Sequence, residues 1–195
     1  MAPRTGRRPG DSGAREAILA AARRSFGTSG FAGTTIRAVA GEAGVDPALV
    51  HHYFGSKQQL FAASLELPVD PEVLVPMLLE GPRDGVGERV VRTFVGIWDG
   101  VPGQGPMLAL LRSAVSDPRA ADSLRDFLSR VILGPLTAAA APDRPELRAA
   151  LMASQMVGLA VTRYVVHLEP VASASGDELA ATVGPTLQRY LTGEL

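Results

Sequence analysis

The chain has 195 residues, of which 46% are hydrophobic, so it can bury a core and has room for one or two domains. Cysteine is absent, which excludes disulfides, thiolate metal sites and cysteine nucleophiles, and no uninterrupted apolar run approaches the ~20 residues of a bilayer span. The net charge of -1 conceals an asymmetry, +4 over residues 1–60 and -5 over the remainder, the balance expected when one end touches phosphate; an ordinary solvated surface accounts for it equally.

Residues 1–11 are rich in Arg, Pro and Gly and lack apolar periodicity, so they are expected as a disordered basic arm or a frayed terminus. Without an apolar h-region in MAPRTGRRPGDSG, cytoplasmic residence is expected. From about Ser12, Ile18, Ala22 and Phe26 recur every four residues beside Leu19, one stripe of an amphipathic helix. Gly30 is placed as the left-handed C′ residue, with Phe31 able to touch Phe26, so the helix should stop near Ser29.

Residues 35–54, TIRAVAGEAGVDPALVHHYF, read as two short helices joined by a tight turn. Ala40 permits close approach, Gly44 can take the positive φ that ends the first helix, and Val45 fills the corner. Asp46 is an N-cap and Pro47 fits N1, where no amide proton is required. Val50 and Phe54 share the inward face, leaving Ala48, His51, His52 and Lys57 beyond it available for other contacts. This is a helix-turn-helix, whose second helix is built for a DNA major groove.

Ser56 and Gln59 form a capping box, and Leu60, Phe61 and Leu65 carry a fourth helix to Pro68 that links to the body. Beyond it the pattern stays helical. Asp70-Pro71 opens a segment with Pro76 as a kink, a helix runs from about Asp84 to Trp98, and GVPGQGP closes it. Met107 to Val115 is apolar, and Asp117-Pro118 starts a helix that Gly134-Pro135 should bend or end. A long segment spans about 145–168, and Ser175 with Glu178 caps a last helix to about Thr192. The expected fold is all-α, nine or ten helices, divided into a helix-turn-helix domain over 12–58 and a helical ligand-binding and dimerisation domain over 59–195. Segment 145–168 is apolar around much of its circumference and includes Ala150, Ala153, Ser154 and Gly158, so it belongs in a core or a dimer seam; a two-fold pair favours the seam.

From about Arg15 to Leu65, through GFAGTTIRAVAGEAGVDPALVHHYFGSKQQLF, the sequence resembles the TetR family of transcriptional repressors. The glycine-aromatic after helix one, the Thr-Thr opening, the Ala-x-x-x-Gly-Val turn and the aromatic-Phe-x-Ser-Lys ending stand in order. The resemblance implies a homodimer that represses by occupying a palindromic DNA operator, with its last two long helices as the dimer interface and a small molecule bound in the body. It assigns Thr35 to phosphate and Arg37 to a base or phosphate. Pro47, Ala48, Leu49 and His51 would face base edges, while His52, Tyr53 and Lys57 would hold the backbone. Family members often carry tyrosine where His51 stands and Gly-Thr where Ala48-Leu49 stands, so specificity would lean on His51, Arg37 and DNA shape. The resemblance also makes Phe94, Trp98, Met107, Leu111, Phe127, Met152, Gln155, Met156 and Tyr164 candidates for lining a ligand cavity; plain core is the alternative for each. Gln155 is singled out as a polar amide within an apolar helix.

No cofactor is implied. His51 and His52 diverge by about 100° on a helix and cannot easily grip one ion, and His167 reads as a surface or capping residue. No phosphate-loop, nucleophile-elbow or H-E-x-x-H signature occurs. Two other readings remain open: a sequence-indifferent DNA-compacting protein, and a helical carrier or enzyme with a structural N-terminal module.

Overall fold

The computed structural model describes residues 10–65, 70–100 and 105–195, with the side chains of 10–12 and 105–107 left out. The expected arm lies, through residue 9, outside the described residues, and the first helix begins at Gly10, earlier than Ser12. Among the described residues there is no strand, and no helix is long and apolar enough to cross a membrane.

The head comprises α1 (Gly10–Gly33), α2 (Ile36–Ala43), α3 (Pro47–Phe54) and α4 (Lys57–Ser64). Within α1 the backbone turns at Gly30, φ 66°, where an L side chain would be strained, so its regular part ends at Ser29 as the pattern predicted. Phe31 then packs on Phe26, ring centroids 6.0 Å apart, and both meet Phe61 of α4 at 5.2 and 4.6 Å. Ile18, Val39, Ala40, Val50, Phe54 and Leu60 complete this core. The expected domain border at 58/59 falls inside α4, whose Leu60 and Phe61 pack with the head.

The body contains α5 (Pro71–Leu79), α6 (Val86–Gly100), α7 (Gly105–Ser113), α8 (Pro118–Asp126), α9 (Leu133–Ala140), α10 (Pro145–Ala160) and α11 (Gly176–Thr192). Asp70, Asp117 and Ser175 each cap the next helix as predicted, accepting from the amides of Glu72, Arg119 and Glu178. Pro76 lies inside α5, which continues to Leu79. Gly134-Pro135 does not end the helix: both lie in the first turn of α9, into which α8 passes through a π-helical segment, Phe127–Ile132. A five-residue hydrogen-bond spacing absorbs the missing Pro135 amide, and there is no room for a Cβ at Gly134, which would meet the Ser129 carbonyl oxygen. A second π-helical segment, Val161–Val165, ends α10 before residue 168.

Helix α6 crosses α11 closely at Gly87 and Gly184; a Cβ on Gly184 would lie 2.8 Å from the Glu88 Cα. The body core, including Leu78, Val91, Leu136, Met152, Leu187 and Leu191, surrounds that crossing. Arg148, 2% exposed, is paired with Asp143 and donates to the Tyr190 carbonyl at 2.8 Å, so a buried guanidinium ties the start of α10 to the end of α11.

Candidate nucleic-acid interface and ligand cleft

The interface is built by the turn between α2 and α3. Gly44 adopts φ 69°, ψ 31°, and the Val45 amide donates back to the Ala40 carbonyl at 3.0 Å, the six-to-one bond of a Schellman stop. Two residues later Asp46 Oδ1 accepts from the Ala48 amide at 2.7 Å and Pro47 begins α3. Val50 and Phe54 are buried in the head, which turns Ala48, His51 and His52 to the surface with Pro47, Leu49 and Tyr53 half-buried beside them. Thr35 caps α2, its hydroxyl oxygen accepting from the Ala38 amide at 3.1 Å, and Arg37 is exposed one turn away. All eight of these predicted residues are at least partly exposed, six along α3 and two at the start of α2.

Two side chains have partners that spacing did not reveal. The carbonyl of Gly55 accepts from Nδ1 of His51 at 2.7 Å, which assigns the proton to Nδ1, while the Gly55 amide donates to the His51 carbonyl at 2.8 Å. The ring is thus locked with Nε2 as its remaining polar atom. The Lys57 ammonium lies 4.5 Å from the Phe31 ring centroid; burial, then the nearby Arg130 guanidinium, push it below the usual lysine value, with Asp126 opposing. Predicted on the phosphate-binding rim, Lys57 stands here at the junction of head and body.

Among the candidate ligand residues, Phe94, Trp98, Phe127 and Met156 line one cleft of about 100 Å³, together with Leu74, Leu78, Val90, Thr93, Ile97, Leu128, Ile132 and Leu133. Val90, Thr93, Phe94 and Ile97 line the cleft from α6 at helical spacing, a stripe of which the candidate set includes only Phe94. Leu111 and Tyr164 pack beside it in a satellite cluster, Tyr164 stacking on Trp98 with centroids 5.0 Å apart. Met152 is fully buried in the body core, Gln155 is half-buried on α10, and the Met107 side chain lies outside the described residues.

Tyr164 donates to Asp99 at 2.9 Å, and Arg163 donates to the other oxygen of that carboxylate at 3.1 Å and to the carbonyls of Val171 and Ala174 at 2.8 Å. Burial, and then its hydrogen bond to the Asp99 carboxylate, hold the Tyr164 phenol well above its usual value.

The wall of the cleft continues into the head. Phe127 and Val131 belong to the head core, with Leu128 and Ile132 packed against it, and Phe127 meets Phe61 edge to face at 6.2 Å. On the outer side Asp126 pairs with Arg130 at 2.9 Å.

Residues 18–64 match the model of bacterial regulatory proteins of the tetR family, and residues 84–191 match the tetracyclin repressor-like C-terminal domain. A solved TetR-family regulator from Streptomyces coelicolor A3 is 39% identical, with a TM-score of 0.53 over 95% of this chain and 98% of that one. The HTH-type transcriptional regulator BetI of Rhizobium meliloti (strain 1021) is 49% identical over 51 residues, 26% of this chain and 25% of that protein. BetI of Brucella anthropi is 45% identical over 51 residues. The chain thus matches about a quarter of the length of these curated relatives. With one family model covering more than half of the chain, the other covering the helix-turn-helix, and a full-length structural relative, the chain belongs to the TetR family of bacterial regulatory proteins.

Proposed function

We propose that this protein is a ligand-responsive transcriptional regulator that binds an inverted-repeat operator as a cytoplasmic homodimer and represses until a small molecule releases it. The carrying observation is the exposed face of α3, a helix whose Val50 and Phe54 are committed to the head core and whose other side chains, His51 above all, are left at least partly exposed. Thr35, Arg37, His52, Tyr53 and Lys57 would hold phosphates, Arg37 also reaching a base, while Pro47, Ala48, Leu49 and His51 read base edges. The Thr35 hydroxyl already accepts from its own helix, so its hydrogen is the group offered to a phosphate oxygen. Lys57 would leave the Phe31 ring to make its contact.

Dimerisation would use α10 and α11, where Leu147 is exposed, Leu151 half-buried, and Ser154, Gly158, Ala181 and Pro185 exposed. The regulatory step is supported by the shared wall. A ligand that displaces Phe127 also displaces a ring packed on Phe61, so the two heads, which must present α3 to successive grooves about 34 Å apart, would change their separation. Selection of bound duplexes from a randomised pool at near-physiological salt tests the proposal. Recovery of an inverted repeat supports it; retention without an enriched motif favours sequence-indifferent compaction, and no retention removes DNA binding from the proposal.

A further inference from the structure

We propose that the cleft beneath α6 takes an uncharged, apolar molecule with the bulk of about one six-membered ring. The inference rests on the reading of the body as the ligand-sensing part, and it names the chemistry of what is sensed.

Three observations carry it. Among the described residues no lining side chain bears a charge, and the only polar side-chain groups are the Thr93 hydroxyl and the Trp98 indole N–H. The charged groups next to lining residues on α6 and at Phe127 already have partners: Arg89, next to Val90, donates to the carbonyls of Leu78 and Pro82, and Arg92, next to Thr93, is paired with Asp177. Asp99, next to Trp98, has both oxygens engaged by Arg163 and Tyr164, and Asp126, next to Phe127, is paired with Arg130. A carboxylate or ammonium entering the cleft would therefore lose its hydration and find no counter-charge, the case in which burying an ion is most unfavourable.

Size gives the third constraint. A drug-sized ligand fills about 300–1,000 Å³. The cleft of about 100 Å³ is closer to the dry cavity of about 150 Å³, lined by Leu, Ile and Phe, that takes up benzene. The Phe94 and Trp98 ring centroids lie 5.4 Å apart, and one face of the Trp98 indole is covered by Tyr164. Together with the methyl groups of Leu78, Val90 and Met156 in the same lining, these rings suit an aromatic or alicyclic hydrocarbon skeleton.

Trp98 is the only tryptophan of the chain, so its emission reports on the cleft directly. The full-length protein, without DNA, is titrated with toluene, benzoate and benzylammonium, which share a ring and differ in charge. Toluene should change the Trp98 emission saturably and raise the melting temperature, with the two ions at least about 100-fold weaker. Thr93→Phe, which places a ring in the cleft, should abolish the toluene response, and Thr93→Val should keep it. Should Thr93→Phe fail to fold, Ile97→Phe makes the same test from the next turn of α6. Comparable binding of the charged analogues, an unsaturable response to toluene, or an unchanged response in the filled variant would each overturn the inference. Failure is separable from that of the regulator reading: an operator recovered by selection with no toluene site removes only this inference, whereas toluene binding by a protein that retains no DNA removes only the other.

Discussion

Nδ1 of His51 is committed to the Gly55 carbonyl, so base reading by this residue falls on Nε2, an acceptor in the neutral ring and a donor in the charged one. Neutral His51 suits the amino groups of adenine or cytosine, and its protonated form suits guanine. His51→Ala should therefore weaken specific binding by about 0.5–1.5 kcal/mol, the worth of one hydrogen bond, while leaving non-specific binding nearly intact, as measured by competition between operator and random duplex. Lys57→Met should weaken both and reduce the salt slope of binding by about 0.9, read from affinity against salt concentration. Tyr164 yields a prediction in pH. Its phenol is held above the ordinary value of 10.0, so the neutral form is favoured by folding; that stabilisation is complete below pH 10.0 and is lost as pH rises toward the higher folded value. Tyr164→Phe should cost about 1–2 kcal/mol near neutrality and flatten the alkaline loss of stability, both measured by urea unfolding across pH.

The π-helical segment between α8 and α9 lets one stretch of chain pass a proline and serve both the cleft and the head core. Gly134 is required because its Cβ position is occupied by the Ser129 carbonyl oxygen. Gly134→Ala should destabilise the protein by about 1–3 kcal/mol, as in overpacked cores, and alter operator affinity beyond that loss because the segment also supports Phe61. Urea unfolding together with operator titration on the folded fraction separates the two effects. The α6–α11 crossing has the same character: Gly184 brings two backbones together where any side chain would force them apart.

For the whole molecule, the charge asymmetry and the α10–α11 face act together. On the proposed reading the basic head would need a second copy to span an operator, and the face that would recruit it carries exposed or half-buried Leu147, Leu151 and Gly158. Leu151→Arg, on a half-buried position, should yield a folded monomer whose operator affinity falls by at least about 100-fold, because two half-sites no longer bind as one unit. Sedimentation checks the mass and circular dichroism the fold. A dimer that persists in this variant would place the seam elsewhere.

Much of this was legible in the chain itself wherever the determinant is local. Gly30 and Gly44 mark their positive-φ stops, Asp46-Pro47 and Asp117-Pro118 their helix starts, and Ser56 with Gln59 the capping box. Each depends on bonds within a few residues, so spacing is sufficient information. The period of α3 likewise separates Val50 and Phe54 from His51 and His52 before any partner is known. What only the tertiary structure decided involves residues distant in sequence: Phe127 shared between cleft and head, Lys57 set over Phe31, Asp99 joined to Arg163 and Tyr164, and the placing of Phe94, Trp98, Phe127 and Met156 around one cavity. Helical periodicity says which face of a helix is buried and does not say against what, because the same apolar stripe satisfies a core, a cleft or a second subunit equally well.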